Sequence, residues 1–290
     1  MAALLAMCSS VLFGIADFFG GMSARRVAPT TTAATSQLAG LAVLSVAAAL
    51  VGGAVSGTDL ALGLSAGVIG AGALFLFYRG LATGAMSVVA PLSAVTAAIV
   101  PIVTGLFLGE TPGAGQWVGI ALALPAVALI SREGTSDPEV VPTEPIEERA
   151  TPSGTRAGVF AGLLAGAGFG AFVSIITRTS DESGLWPLVL SRAAAGAIMV
   201  VVLGIVGLGA RPIARNGVAL GALAGVLDAS SNVMLLEAGR QGLLVLVGVI
   251  TSLYPASTVV LARLVLHERL QRHQVAGLAM AVVALVLVAI

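Results

Sequence analysis

Apolar residues run along this chain in ten stretches of similar length, separated by short polar breaks. The stretches centre on residues 3–22, 33–54, 60–78, 85–108 and 115–131, and then on 157–178, 185–208, 216–236, 242–266 and 273–290. Each comes near ~20 residues, the length of helix that crosses the hydrocarbon core of a bilayer. None alternates apolar and polar positions with period two, so the pattern predicts no strands. Backbone groups in a bilayer must be satisfied within their own segment, which predicts a helix for every stretch. The first stretch, "MAALLAMCSSVLFGIADFFGG", has no basic leader and reads as a spanning helix rather than a cleaved signal. Only residues 132–156 are hydrophilic. They hold Pro138, Pro142, Pro145 and Pro152 with Glu133, Asp137, Glu139, Glu144, Glu147 and Glu148. Proline and charge together predict a flexible linker. It divides the chain into residues 1–131 and 157–290, with five helices on each side.

One pattern occurs twice. Residues 84–119 read "GAMSVVAPLSAVTAAIVPIVTGLFLGETPGAGQWVG", and residues 242–277 read "GLLVLVGVITSLYPASTVVLARLVLHERLQRHQVAG". At an offset of 158 residues Gly84 meets Gly242, Glu110 meets Glu268 and Gly119 meets Gly277. Each copy is an apolar run interrupted by proline, a polar turn with a glutamate, and a further apolar run. A weaker echo joins Phe13-Gly14 to Phe169-Gly170. Five crossings is an odd number, so the second half enters the membrane upside down. The expected fold class is an all-α integral membrane protein with ten transmembrane helices in two inverted five-helix repeats. Inverted repeats are the plan of secondary transporters, whose binding sites lie between the repeats near the bilayer midplane. Pro91 and Pro101 in one copy, and Tyr254-Pro255 in the other, are candidate kinks or gates, because proline frees a carbonyl and bends a helix. Glu110 and Glu268 read as turn-fixing, each favoured by the positive end of the helix that follows it.

Composition narrows the function classes. The chain of 290 residues is 58% hydrophobic and 10% charged, against about 25% charged in a soluble domain. Mean hydropathy is +1.05. The 37 glycines suit helices that pack through small residues. Net charge is zero, from 14 arginines, 14 acids and no lysine. That excludes P-loop and Schiff-base chemistry, and no basic patch points to nucleic acid. Cys8 is the single cysteine, and His267 and His273 flank one turn, so no disulfide, metal site or cofactor is expected. The spans hold no paired nucleophile and base, which argues against an enzyme.

The remaining chemistry lies in a few ionisable residues inside the spans, where each charge costs several kcal/mol unless paired or wet. Asp17 stands in "FGIADFFGG", beside glycines and phenylalanines that can wall a cavity. Its carboxylate suits a proton or a cationic substrate. Asp228 is at the middle of the eighth segment, with Asn232 one turn on and Ser231 beside it. Its repeat counterpart is Gly70, so the cavity is expected to be chemically lopsided. Arg192 can bind a carboxylate of the substrate or pair with Asp228 or Asp17. Its counterpart region holds Ser36 and Gln37. Arg79, Glu237, Arg240 and Arg263 lie near span ends, where snorkelling to the headgroups explains them.

"APLSAVTAAIVPIVTGLFLGETPGAGQWVGIALAL" and "TSLYPASTVVLARLVLHERLQRHQVAGLAMAVVALVL", with "FYRGLATG" and "LLEAGRQG" before them, resemble the EamA-type transporters of the drug/metabolite transporter superfamily. The resemblance covers the whole chain. It implies export of a small metabolite, amino acid-like or xenobiotic, by alternating access in the bacterial inner membrane. The expected partners are a small-molecule substrate, the lipid bilayer and, as a candidate coupling ion, a proton. A lipid-carrier flippase and a non-transporting assembly partner are the alternatives. Orientation is open: the arginine bias among the connections places both termini outside, whereas the resemblance implies both inside.

Overall fold

Long runs of alanine, leucine, valine and glycine, broken only by short polar turns, fold into helices wherever the hydropathy pattern places them. A computed structural model gives the fold and describes residues 1–82, 86–132, 152–206, 214–267 and 270–289. Among these residues there is no strand. The helices are α1 (Ala2–Ala24), α2 (Pro29–Val51), α3 (Gly57–Ala82), α4 (Met86–Phe107), α5 (Ala114–Ile130), α6 (Pro152–Ile176), α7 (Trp186–Val206), α8 (Arg215–Gln241), α9 (Leu244–Ser252), α10 (Pro255–Val265) and α11 (Arg272–Ala289). The halves α9 and α10 make one candidate crossing, Leu244–Val265; among the described residues nine such segments are long and apolar enough to cross a membrane, and α5 is a shorter apolar helix. Gly84, Glu268 and linker residues 133–151 lie outside the described residues, as do the side chains of Tyr78 and Arg79.

Two helices begin a full turn or more before the hydropathy pattern places them. The second starts at Pro29 and the sixth at Pro152, the latter inside the stretch expected to be linker. Proline suits the first helical position, because its φ is already helical and its missing N–H would have had no partner there.

Contacts between helices fix their directions. Ser9 Oγ lies 3.1 Å from Ser231 Oγ, and Ser23 Oγ donates to the Gly217 carbonyl at 2.7 Å, so α1 runs antiparallel to α8. Gly63 and Gly67 lie against Pro187 and Ser191, making α3 parallel to α7. Gly221 and Gly225 lie against Thr32 and Ser36, making α8 parallel to α2. Exchanging the halves turns the α3–α7 pair into the α8–α2 pair and returns the α5–α11 pair to itself. The principal helix contacts run between the halves rather than within them.

Small residues set how closely these helices approach. A Cβ at Gly67 would run into the Ser191 carbonyl, and one at Gly225 into that of Ser36. Gly67 and Gly225 are equivalent at the 158-residue offset, so Ser191 and Ser36 are equivalent too. The next residues along, Arg192 and Gln37, therefore occupy matching positions. Outside, Val46, Leu50, Val51, Phe107, Phe160 and Ile205 are exposed. Lipid is the solvent that tolerates such a surface, and van der Waals contact between small residues holds the interior.

The doubled stretch repeats its turn chemistry. Gln116 Oε1 accepts from the Gly113 N–H at 2.9 Å, and Gln274 Oε1 from the Gln271 N–H at 3.0 Å. Gly109 and His267 are likewise equivalent, with φ of 84° and 58°. The turn needs a left-handed residue in both copies, and only the first supplies glycine. Glu110 departs from expectation. Its carboxylate accepts from the N–H groups of Leu244 and Val245 at 2.8 and 2.9 Å. It thus caps α9, in the other half of the chain, and not the following helix α5. The α5 start already has Gln116, whereas the α9 amides would otherwise lack acceptors.

The prolines also behave differently in the two copies. Helix α4 runs continuously through Pro91 and Pro101. The ninth crossing breaks at Tyr254-Pro255. There the Leu253 and Tyr254 N–H groups donate three residues back, to Ile250 and Thr251, both at 3.2 Å. Pro255 has no N–H to offer Thr251, and the tightened turn takes up that carbonyl.

Candidate functional site

The charged residues inside the spans meet where helices from both halves converge. Asp228 is thirteen residues into α8, at the middle of its span. Asn232 follows one turn later, and its Nδ2 donates to the Asp228 carbonyl at 2.8 Å. Arg192 approaches from α7. Its Nη2 donates to Asp228 Oδ2 and forms an ion pair there. Its Nη1 donates to Gln37 Oε1 on α2 at 3.0 Å. By the matching helix contacts Gln37 is the counterpart of Arg192, so this hydrogen bond joins one half to the other. Arg192 is 7% exposed. A charge so deep is tolerable because a carboxylate and an amide oxygen receive its protons.

Asp17 joins the group from α1. Its side chain is exposed although it lies well inside its helix, and it interacts electrostatically with Asp228 and with Tyr254. The Asp228 side chain is itself 27% exposed. Asp17 accepts no hydrogen bond among the described residues. Neither does Asn232 Oδ1, although Asn232 is only 2% exposed. The broken ninth crossing forms an adjacent wall. Thr258 Oγ1 donates to the Gly14 carbonyl at 3.0 Å, and the Tyr254 ring stands 6.3 Å from that of Phe13.

Asp17, Arg192, Asp228 and Asn232 thus fall into one neighbourhood, and Tyr254 borders it. Pro101 packs against Gly248 of α9, at the contact between the two proline-bearing crossings. Pro91 lies one helical stretch away on α4.

A second polar cluster occupies the end of the bundle where α1 begins. Asp59 accepts from Ser180 N–H at 2.9 Å, from Ser180 Oγ at 2.7 Å and from Ser56 Oγ at 2.8 Å. Ala54 N–H donates to the Glu182 carbonyl at 2.8 Å. These bonds join the α2–α3 connection of one half to the α6–α7 connection of the other. Arg240 extends the cluster, donating to the Ser180 and Gly184 carbonyls, both at 2.9 Å, and to Glu237 Oε1 at 2.7 Å. Arg240 therefore does not snorkel as expected, and Glu237, 36% exposed, lies beside it. With 8% of its side chain exposed, Arg240 turns inward, where two loop carbonyls and the Glu237 carboxylate accept its protons. Asp59 is missing from the sequence-based candidates, yet Ser56-x-x-Asp59 has the spacing of a capping box.

A third feature is an apolar groove of about 590 Å³ between α1, α10 and α11, lined by Met7, Val11, Ile15, Val260, Leu278 and Val282 among others. No charged residue lines it.

A family model described as the EamA-like transporter family matches residues 1–132 and 156–290. Among solved structures, one crystal structure covers 99% of this chain and 95% of its own, with a TM-score of 0.76 and 17% identity. At that identity the likeness is one of fold. No curated protein matches the chain.

Proposed function

The chain belongs to the EamA-like transporter family, and from that membership we propose a secondary transporter that exports a small metabolite or xenobiotic by alternating access. Residues 1–131 and 157–290 are its two moving halves, and the bacterial inner membrane is its place. The observation that carries this reading is the Arg192–Asp228 pair with Gln37, Asn232 and Asp17. Charges at the middle of a span are costly, and by default they mark a substrate or ion path. Here they lie between helices of both halves, where a rocking motion would expose them to one side and then the other.

In this mechanism the substrate binds between the halves, beside Asp17 and Asp228. Closure requires the ties at one end to form while those at the opposite end release. The Asp59–Ser180 bonds and the Glu110 cap on α9 are ties at the end where α1 begins, and the Ser23–Gly217 bond is a tie at the other; each joins one half to the other. The Tyr254-Pro255 break gives the ninth crossing a joint that can change angle without losing a full helical ladder. Asp228 is the candidate for proton coupling, because protonation would release Arg192.

The test is flux into liposomes containing the purified protein, using a mixture of cellular metabolites, an imposed pH gradient and mass spectrometry of the contents. One or more compounds should accumulate with the wild type and not with Arg192→Gln. Accumulation equal to that of empty liposomes would contradict a transporter. If Asp228→Asn transports and keeps its dependence on the pH gradient, Asp228 is not the coupling group. The apolar groove favours one second reading, a flippase whose lipid tail lies along α1, α10 and α11. A build-up of lipid-linked sugar on gene deletion, with no soluble compound transported, would support it.

A further inference from the structure

We propose that Asp59 is the latch of a gate at the end of the bundle where α1 begins, that residues 180–184 are its catch, and that Arg240 holds the catch in shape while the gate opens and shuts. This rests on the transporter reading and names the bonds that part when the halves move.

Backbone and side chains define one contact plane between the halves. Asp59 stands in the first turn of α3 and is 3% exposed. Its Oδ1 accepts from the Ser180 N–H and its Oδ2 from the Ser180 hydroxyl, so both oxygens reach across the plane. Ala54 N–H crosses it to the Glu182 carbonyl, and a Cβ at Gly184 would run into the Gly52 carbonyl. Capping α3 does not require the carboxylate, because Ser56 Oγ already accepts from the Asp59 N–H at 3.1 Å. Bonds to a charged acceptor are about twice as strong as neutral ones.

The catch is held by its own half. Ser183 Oγ donates to the Ser180 carbonyl at 2.7 Å. Arg240, at the end of α8, donates to the Ser180 and Gly184 carbonyls and lies 3.1 Å from Asp181 Oδ1. Catch and Arg240 both belong to residues 157–290. Separation of the halves therefore breaks the Asp59 and Ala54 bonds and leaves the Arg240 bonds whole.

The repeat places an equivalent contact at the other end. Gly217 lies 158 residues after Asp59, the offset that relates Gly67 to Gly225. The echo of Phe13-Gly14 in Phe169-Gly170, offset by 156 residues, sets Ser23 opposite Thr179, next to Ser180. Ser23 Oγ donates to the Gly217 carbonyl at 2.7 Å. One position in the fold thus joins the halves twice, with a carboxylate at one end and bare backbone at the other. Both contacts are formed in this structure. Halves that rock about a central site break one and keep the other.

The experiment measures spin-label distances by double electron–electron resonance in the full-length protein, carrying Cys8→Ser, in lipid nanodiscs. Labels on Val55→Cys and Glu182→Cys report the end where α1 begins, and labels on Arg26→Cys and Asn216→Cys report the other; all four positions are exposed. Asp59→Ala should add a separate longer Val55–Glu182 distance while the Arg26–Asn216 distance stays short. The ratio of open to shut should rise about tenfold or more, the fold-change of one hydrogen bond to a charged group. Ser23→Ala should lengthen only the Arg26–Asn216 distance. Arg240→Gln should broaden the short Val55–Glu182 distance without adding the long one. If Asp59→Ala fails to elute as a folded monodisperse species, Asp59→Asn, which keeps one acceptor oxygen, gives the same test. Unchanged distances in the Asp59 variant, lengthening at both ends together, or lengthening at the end opposite the variant would each overturn the latch. A separate long distance in Arg240→Gln would overturn its role in holding the catch. Opening of the labelled end with no compound accumulated in liposomes would remove the transporter and leave the latch. Flux with distances unmoved by any of these variants would do the reverse.

Discussion

Glu110 offers a direct test of how the two halves are tied. Its carboxylate accepts two N–H groups at the start of α9, Leu244 at 2.8 Å and Val245 at 2.9 Å. Hydrogen bonds to a charged group contribute about 1.5–3 kcal/mol each, and a carboxylate at a partly buried helix start adds up to ~2 kcal/mol through the helix dipole. These terms overlap, and water at the membrane surface would recover part of the loss. Glu110→Ala should therefore destabilise the protein by about 3 kcal/mol, near the value of one such bond plus part of the dipole term. Glu110→Gln keeps one acceptor of the same reach and loses the charge, so about half that loss is expected. Reversible unfolding in mixed micelles, followed by circular dichroism, gives both values. Amide exchange gives the location: Leu244 and Val245 should lose protection in Glu110→Ala while Trp117 and Val118 keep theirs. Both variants falling within about 0.5 kcal/mol of wild type, the range of an ordinary surface change, would refute the cap. Loss of protection at the α5 start instead would show that the carboxylate serves the helix that follows it in sequence.

The buried ion pair should behave as a unit. Arg192→Gln and Asp228→Asn should each destabilise by about 3–5 kcal/mol, and the double variant by clearly less than their sum, because each single change leaves an unpaired charge; equal and additive losses in a double-mutant cycle would contradict the pair. His267→Gly should raise stability by about 1 kcal/mol, since a left-handed conformation costs a side chain about that much, and an unchanged unfolding midpoint would place the strain elsewhere. Gly225→Ala should cost about 1–3 kcal/mol as the new methyl displaces the Ser36 carbonyl. Gly72→Ala should be neutral or stabilising by about 0.5–1 kcal/mol, because a Cβ there meets nothing within 4 Å; the opposite ranking of these two in thermal unfolding would mean that α2 and α8 do not pack as described.

The helices are legible in the sequence because hydropathy acts locally, and a bilayer leaves each apolar run no alternative to helix. The early starts of α2 and α6 were legible too, in Pro29 and Pro152, once proline is read as a beginning and not only as a breaker. Pairings across the halves are another matter. Glu110 is followed by a helix start that looks like its natural partner, yet its partner lies 134 residues away in sequence. Only the three-dimensional exchange of halves brings α9 to it. Arg240 resembles a snorkelling arginine in every local respect, and the loop carbonyls that draw it inward belong to residues 180 and 184. The proximity of Asp17, Arg192, Asp228 and Asn232 was expected only from the principle that buried charge seeks company. The pairing of Arg192 with Gln37 follows from the serine and glycine register of the α3–α7 and α2–α8 contacts, which no single helix reveals.

Counterflow tests the central claim most directly. A carrier whose site faces one side at a time returns faster when loaded, so liposomes preloaded with the accumulating compound should take up labelled compound faster than empty ones. That acceleration should vanish in Arg192→Gln with the protein still folded. Uptake that ignores the internal load, or acceleration that survives loss of the Arg192–Asp228 pair, would contradict an alternating carrier built around this site.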